Sequence, residues 1–167
     1  FIEDPLRVLR VARFKAKLPF FVIHEETKTL MKQMVSDGEI GHLSSERIIA
    51  ELIKGIEQKH AFNMFIVLED CGALPIIFPQ ICFDENKVAV KKILDLASEV
   101  ELSSSKRLLL FLLAVNFEVN SINPMIKVNA SVIRLPSEIK KIIALLQKYT
   151  GTLISFYNLD AKEQLER

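Results

Sequence analysis

Apolar residues recur every three to four positions along most of the chain, which is the spacing of amphipathic helices. The first such segment predicts a helix over Pro5–Lys17, with Asp4 as its N-cap and Pro19 preventing its continuation. A second helix is predicted over about Glu25–Val35, and a third begins after Ser44-Ser45. The same spacing predicts four further helices, at about Ala61–Asp70, Asn86–Val100, Lys106–Phe117 and Pro136–Tyr149.

The segment Leu74–Asp84 contains two prolines and interrupts this pattern. It is the best candidate for a boundary, and it predicts one lobe over residues 1–74 and another over residues 75–167. Lys106–Phe117 is apolar nearly all round, which is typical of the most buried helix of a lobe. The expected fold class is therefore all-α, with two helical lobes.

Composition supports the helical prediction and excludes several other classes. Only 5 glycines and 6 prolines occur among 167 residues, too few for a many-turned β-sandwich. The longest uncharged run in the most apolar region, Leu108–Phe117, is about half of the ~20 residues that a membrane-spanning helix needs, so no membrane association is expected. Cys71 and Cys82 stand without a second pair, which favours two buried thiols and a cytoplasmic location.

Most signatures of catalytic chemistry are missing from the sequence. It has no glycine-rich phosphate loop and no Asp-x-Asp pair that would hold catalytic magnesium. His24, His42 and His60 lack partners at metal-ligand spacing, and we expect them at the surface or at its boundary. We therefore predict neither a metal site nor catalytic residues within this chain.

The predicted first helix has an apolar stripe beside a basic one. The apolar stripe is Leu6, Leu9 and Ala12, and the basic stripe is Arg7, Arg10 and Arg13. Lys15 and Lys17 extend the basic stripe, although the net charge of the whole chain is only +1. Composition alone leaves two interpretations open, a solvated basic face and a surface that contacts phosphate.

The run from Glu3 to Phe14 reads Glu-Asp-Pro-Leu-Arg, followed by further arginines and Arg-Phe. It resembles the nucleotide-selecting motif of the class II tRNA nucleotidyltransferase and poly(A) polymerase family, whose CCA-adding members extend tRNA ends without a nucleic-acid template. Further segments resemble the remainder of the neck and the start of the body in these enzymes: Phe21–Met34, Gly38–Leu43, Glu46–Glu51, Leu68–Leu74 and Ile77–Pro79. The second half of the chain is similar only weakly, around Leu135–Ile139.

The resemblance implies a role for each residue of the motif. Asp4 and Arg7 would recognise the incoming base, Arg10 would bind the nucleotide or hold the pocket wall, and Glu3 and Arg13 would support them. Cytosine and adenine each present an amino donor beside a ring-nitrogen acceptor, whereas guanine and uracil present the reverse. A carboxylate that only accepts, beside a guanidinium that only donates, therefore matches CTP and ATP.

The same resemblance implies what lies elsewhere. In the family, the Mg²⁺-binding carboxylates and the Gly-Gly phosphate loop belong to a catalytic head that precedes the neck, so this chain alone is expected to be inactive. Phe1 at one end, and Asp160 with Glu163 at capping-box spacing near the other, suggest a chain cut at both ends. Longer bacterial relatives carry an HD phosphohydrolase unit whose place falls near Leu113, where no side chain could bind a metal.

We therefore expect the neck and body of a CCA-adding enzyme, with ATP, CTP, the acceptor arm of tRNA and the missing head as partners. Two alternatives stay open: a non-catalytic helical module for RNA binding or protein interaction, and a relative that adds A alone or poly(A). Glu46, Arg47 and Glu51 are expected to form a helix start with an ion pair between Arg47 and Glu51, in a structural role.

Overall fold

The computed structural model describes residues 4–79, 81, 83–115 and 135–145, and these residues contain helices and no strand. The helices are α1 (Leu6–Lys17), α2 (Glu25–Ser36), α3 (Ser45–Ile56), α4 (Ala61–Asp70), α5 (Leu74–Ile77), α6 (Phe83–Glu99) and α7 (Ser104–Val115), with a short 3₁₀ helix at Glu39–His42. Residues 137–145 are also helical. The predicted all-α class is confirmed.

The helix ends follow local chemistry. Ser44 caps α3, since its side-chain oxygen accepts a hydrogen bond from the Arg47 backbone N–H at 3.4 Å. α4 ends at Asp70, and two residues later Gly72 has a φ of 78°, in the left-handed region that glycine adopts without steric cost. The predicted bounds of α4 match the observed ones, and those of α1, α2 and α6 differ by at most three residues at either end. The short helix α5 was not predicted, because it lies in the proline-containing segment that interrupts the pattern.

The first helix, α1, packs against both α3 and α4. α7 packs against α6 and α3, and α6 also contacts α4. The rings of Phe65 on α4 and Phe111 on α7 stack with their centroids 3.8 Å apart, within one apolar core. Packing is therefore continuous across Leu74–Asp84, and the division into lobes there stays a prediction.

A buried arginine that the sequence analysis did not single out joins α7 to α3. The Arg107 residue is 7% exposed, and its Nε donates to the Leu102 carbonyl oxygen at 2.8 Å. Its Nη1 donates to the carbonyl oxygens of Ile56 and Glu57 at 3.3 and 3.2 Å, at the carboxyl end of α3. The guanidinium thus binds carbonyls that the helix itself leaves without partners.

The predicted burial of Cys71 and the predicted surface position of the three histidines are both confirmed. Cys71 is buried, and this burial raises the pKa of its thiol. The side chains of all three histidines are exposed, as predicted. Cys82, the Asp160–Glu163 capping box and residues 146–149 of the last predicted helix lie outside the described residues. No helix in the described part of the chain has the length and apolar character to span a membrane.

Candidate nucleotide-binding site

Asp4 lies at the start of α1 and binds two donors. Its Oδ1 accepts a hydrogen bond from the Leu6 backbone N–H at 3.2 Å, so the carboxylate satisfies one of the free N–H groups of the helix start. The helix begins at Leu6, one residue later than predicted, and its N-cap is Pro5. The prediction of Asp4 as the N-cap is therefore wrong, although the Asp4 carboxylate still binds an N–H group of the first turn. Oδ1 also accepts from Nη2 of Arg47 on α3 at 3.1 Å, and neither of these hydrogen bonds uses Oδ2.

The expected ion pair between Arg47 and Glu51 is wrong. Arg47 pairs with Asp4, and Glu51 pairs with cations of α1 and with Lys54. The physical reason is the packing of α3 against α1, which offers both side chains partners on another helix. Spacing within one helix cannot reveal such long-range partners.

Glu51 is the centre of a cluster of charges between α1 and α3. Its side chain is only 5% exposed, and its Oε2 lies 3.2 Å from Nε of Arg13. This ion pair lacks hydrogen-bond geometry, so Oε2 has no hydrogen-bond partner. Oε1 lies 3.9 Å from Nε of Arg10 and 3.4 Å from Nζ of Lys54. One buried carboxylate therefore holds two arginines of the basic stripe.

The predicted residues that the structure describes lie on α1 or immediately before it. Arg7 lies one turn after Asp4 and is exposed, and its backbone N–H donates to the Asp4 carbonyl oxygen at 3.0 Å. Arg10 is exposed on the next turn, whereas Arg13 is partly buried and lies over the ring of Phe14, 4.9 Å from its centroid. Glu3 lies outside the described residues.

The arrangement offers hydrogen-bonding groups for a ligand but no metal ligands. Among the described residues, no group of three or more His, Cys, Asp or Glu side chains could hold a metal ion. Leu113, where the HD unit of longer relatives would fall, is a partly buried leucine on α7 packed against the core. The described residues therefore do not fit a catalytic Mg²⁺ site.

The first half of the sequence is similar to known proteins. Residues 20–84 match the family described as "Probable RNA and SrmB- binding site of polymerase A". A Multifunctional CCA protein of Acidovorax sp. (strain JS42) is 48% identical over 81 residues, which is 48% of this chain and 19% of that protein. The Multifunctional CCA protein of Aliivibrio salmonicida is 49% identical over 83 residues, 48% of this chain and 20% of that protein. The matched stretch thus spans about a fifth of these relatives.

Two solved structures share the fold over nearly the whole chain. A CCA-adding enzyme in complex with ATP superposes with a TM-score of 0.63 at 23% identity, over 93% of this chain and 37% of that one. The Thermotoga maritima CCA-adding enzyme complexed with tRNA superposes with a TM-score of 0.64 at 22% identity, over 96% of this chain and 39% of that one. With the sequence matches, these findings show that the first half of the chain is similar in sequence to CCA proteins and that the chain has the fold of CCA-adding enzymes.

Proposed function

We propose that this chain is the neck and body of a CCA-adding tRNA nucleotidyltransferase. In this role it selects CTP and ATP, and it holds the acceptor arm of tRNA during template-independent addition to the 3′ end. The single observation that carries the proposal is the placement of Asp4 and Arg7 one turn apart at the exposed start of α1, with Asp4 held by Arg47. The sequence relatives named above are CCA proteins, which supports the same reaction.

Selection follows from the fixed hydrogen-bonding character of the two side chains. An ionised Asp4 only accepts, and Arg7 only donates, so a cytosine or adenine edge satisfies both. A guanine or uracil edge places donor against donor and acceptor against acceptor. Each polar group left unsatisfied in a closed pocket costs about 1–3 kcal/mol, which is enough to reject the wrong base.

The neighbouring contacts would keep Asp4 and Arg10 in place. Both hydrogen bonds observed at the Asp4 carboxylate fall on Oδ1, so Oδ2 is the oxygen that we assign to the base. Arg47 holds the carboxylate from the side of α3, and Glu51 restrains Arg10 in the same way. Holding the recognition groups before the nucleotide arrives lowers the entropy that binding must overcome.

Binding of tRNA would use the basic stripe. Arg10, Arg13 and Lys17 are cations along α1, and contacts with phosphates would make the affinity for tRNA fall as the salt concentration rises. Two findings support RNA as the partner: the family description of residues 20–84 refers to an RNA-binding site, and one structural neighbour is an enzyme complexed with tRNA.

The bond-forming step is assigned to a catalytic head outside these residues. Mg²⁺ and the phosphate-binding loop would belong to that head, since no described residues of this chain form a metal site. The chain by itself is accordingly expected to add no nucleotide. We also expect no HD-type phosphohydrolase activity, and metal-dependent release of phosphate from a 2′,3′-cyclic substrate would contradict that expectation.

The test is a fusion of this chain to the catalytic head of the Acidovorax relative. Incorporation of each of the four nucleotides is measured on tRNA that lacks its CCA end. The fusion is expected to add C and A, and Asp4→Ala and Arg7→Ala are expected to lose much of the discrimination against G and U. Lys92→Ala, which removes an exposed lysine of α6, is the control and should leave selectivity unchanged.

Unchanged selectivity for C and A in both variants would overturn the assignment of the pair. Addition of A alone by the unmodified fusion would identify an A-adding relative. A fusion that binds tRNA yet adds nothing, while the relative's own neck and body support addition, would favour the helical RNA-binding module.

A further inference from the structure

A cavity of about 480 Å³ lies between α1, α2 and α4, at the opposite end of α1 from Asp4. Its apolar lining includes Met31, Ile66 and Val67, and Asn63 adds an amide. Three lysines and two carboxylates complete the lining: Lys15, Lys28, Lys32, Glu25 and Asp70. We call this space the lysine cavity. It combines apolar contact area, one amide and an excess of positive charge, and the selection of nucleotides at Asp4 does not use it.

Beside this cavity, the segment Leu18–Val22 exposes a set of large apolar side chains. Phe20 is 96% exposed, and Leu18, Phe21 and Val22 are largely exposed as well. We call this segment the phenylalanine loop. Exposed apolar side chains gathered on one surface are typical of a binding site.

Two hydrogen bonds from the side chain of Lys15 hold the backbone of the phenylalanine loop in place. Nζ of Lys15 donates to the carbonyl oxygen of Pro19 at 2.8 Å and to that of Phe21 at 2.7 Å. Lys15 also lines the lysine cavity, so one side chain connects the two features. The loop therefore presents its rings from a fixed backbone, next to the mouth of the cavity.

The charges around the cavity favour a negatively charged ligand. Lys28 is paired with Glu25, with Nζ and Oε1 2.6 Å apart, so these two charges largely offset each other. Lys32 is exposed, one turn after Lys28 on α2. Aromatic rings beside exposed cations are what proteins use to bind single-stranded nucleic acid, because bases stack on the rings while phosphates meet the cations.

We propose that the lysine cavity and the phenylalanine loop together bind single-stranded RNA. A base stacks on Phe20, the neighbouring base enters the cavity against its apolar lining, and Lys32 contacts the phosphate between them. The inference rests on RNA being the partner of this chain, as proposed above, but it uses neither Asp4 nor Arg7. The two sites are about 18 Å apart along α1 at 1.5 Å per residue, so a short single strand reaches from one to the other.

The experiment measures binding of a fluorescein-labelled hexa-adenylate RNA to the whole chain by fluorescence anisotropy, over a series of salt concentrations. Phe20→Ala is expected to weaken binding roughly 5- to 150-fold, the range for one lost base–aromatic stack, and to leave the salt dependence unchanged. Lys32→Gln is expected to make the slope of log K against log salt shallower by about 0.7, the value for one phosphate contact on a single strand.

Matched controls lie on α6. Val88→Ala removes another exposed apolar side chain, and Lys92→Gln removes another exposed lysine, and neither residue lines the cavity. Both control variants should bind the hexanucleotide like the unmodified chain. Because Phe20 and Lys32 are exposed, their substitution is not expected to affect folding, and thermal unfolding of each variant checks this.

Any one of three results would overturn the inference. The unmodified chain does not bind the hexanucleotide at low salt, both test variants bind it as tightly as the unmodified chain, or the α6 control variants lose as much affinity as the test variants. A change in self-association alone on Phe20→Ala, seen by sedimentation, would also overturn it and would assign the loop to contact with a second copy. Failure here is distinguishable from failure of the proposed function, because the nucleotide selectivity of Asp4→Ala and Arg7→Ala is measured in a fusion in which Phe20 and Lys32 are unchanged.

Discussion

The carboxylate of Asp4 and the guanidinium of Arg47 form a hydrogen-bonded ion pair at 3.1 Å, across 43 positions of sequence. The pair joins the start of α1 to the first turns of α3. Because Asp4 is also bound to the Leu6 N–H, its carboxylate is restrained from two directions. The proposed base-selecting residue thus depends on a helix that is distant in sequence.

Arg47→Gln should separate orientation from stability. The side chains of Asp4 and Arg47 are 30% and 51% exposed, so the loss in free energy of unfolding is expected to stay below about 1 kcal/mol. In the fusion with a catalytic head, discrimination against G and U should fall, though less than in Asp4→Ala, since the Leu6 hydrogen bond remains. Glu46→Gln, the neighbouring exposed carboxylate, is the control for selectivity. Equal selectivity in Arg47→Gln and the unmodified fusion would contradict the orienting role.

Glu51→Gln should destabilise the junction of α1 with α3. The variant keeps the shape of the side chain but removes the charge that Arg13, Arg10 and Lys54 face. We expect a loss of about 1–2 kcal/mol, below the cost of breaking a fully buried pair, because the three cations keep part of their hydration. Urea unfolding measures it. Glu57→Gln, an exposed carboxylate at the end of the same helix, should change stability by much less.

Gly55→Ala tests the close packing of α3 on α4. A Cβ at this position would overlap Sδ of Met64, and Met64 is fully buried, so its side chain has little room to move. We expect a loss of about 1–3 kcal/mol in the free energy of unfolding. Gly41→Ala, where a Cβ meets nothing within 4 Å, is the control. If overlap is the cause, adding Met64→Ala to Gly55→Ala should cost less than the sum of the two single losses.

Arg107→Met should loosen the contact between α7 and α3. The substitution keeps much of the apolar stem but removes hydrogen bonds to three carbonyl oxygens in a buried setting. Hydrogen bonds from a charged donor contribute about 1.5–3 kcal/mol each, so a total loss of about 2–4 kcal/mol is expected after partial replacement by water. Lys106→Met, at the exposed neighbouring position, provides the comparison. Similar unfolding curves for both variants would show that Arg107 contributes little.

Cys71 predicts a pH dependence of stability. Burial raises the pKa of its thiol in the folded chain, so below about pH 8.5 the folded and unfolded states both keep the proton. Above that pH the unfolded state ionises first, and the folded state loses relative stability. Between pH 8 and pH 10, the unfolding free energy should therefore fall more steeply for the unmodified chain than for Cys71→Ala. Parallel falls in the two proteins would contradict the raised pKa.

The helices were predictable because their signals are local. The spacing of Ile48, Leu52 and Ile56 predicted the inward face of α3, and all three are buried. Charge pairing was not predictable, since Asp4 and Glu51 find their main partners on other elements of the fold. Arg107 was missed for a related reason. Its partners are main-chain carbonyl oxygens, which every residue has, so no residue type in the sequence identifies them. The positive charge of the basic stripe on α1 was predictable from the sequence, but the burial of the Glu51 carboxylate beside it was not.

The carbonyl contacts of Arg107 also bear on how this fold tolerates change. Any residue at positions 57 and 102 supplies the same carbonyl oxygen. These contacts between α7 and α3 therefore depend on the side chain of Arg107 but not on which side chains stand at positions 57 and 102. Substitutions at those two positions can therefore change the surface of the molecule without weakening the packing of α7 against α3.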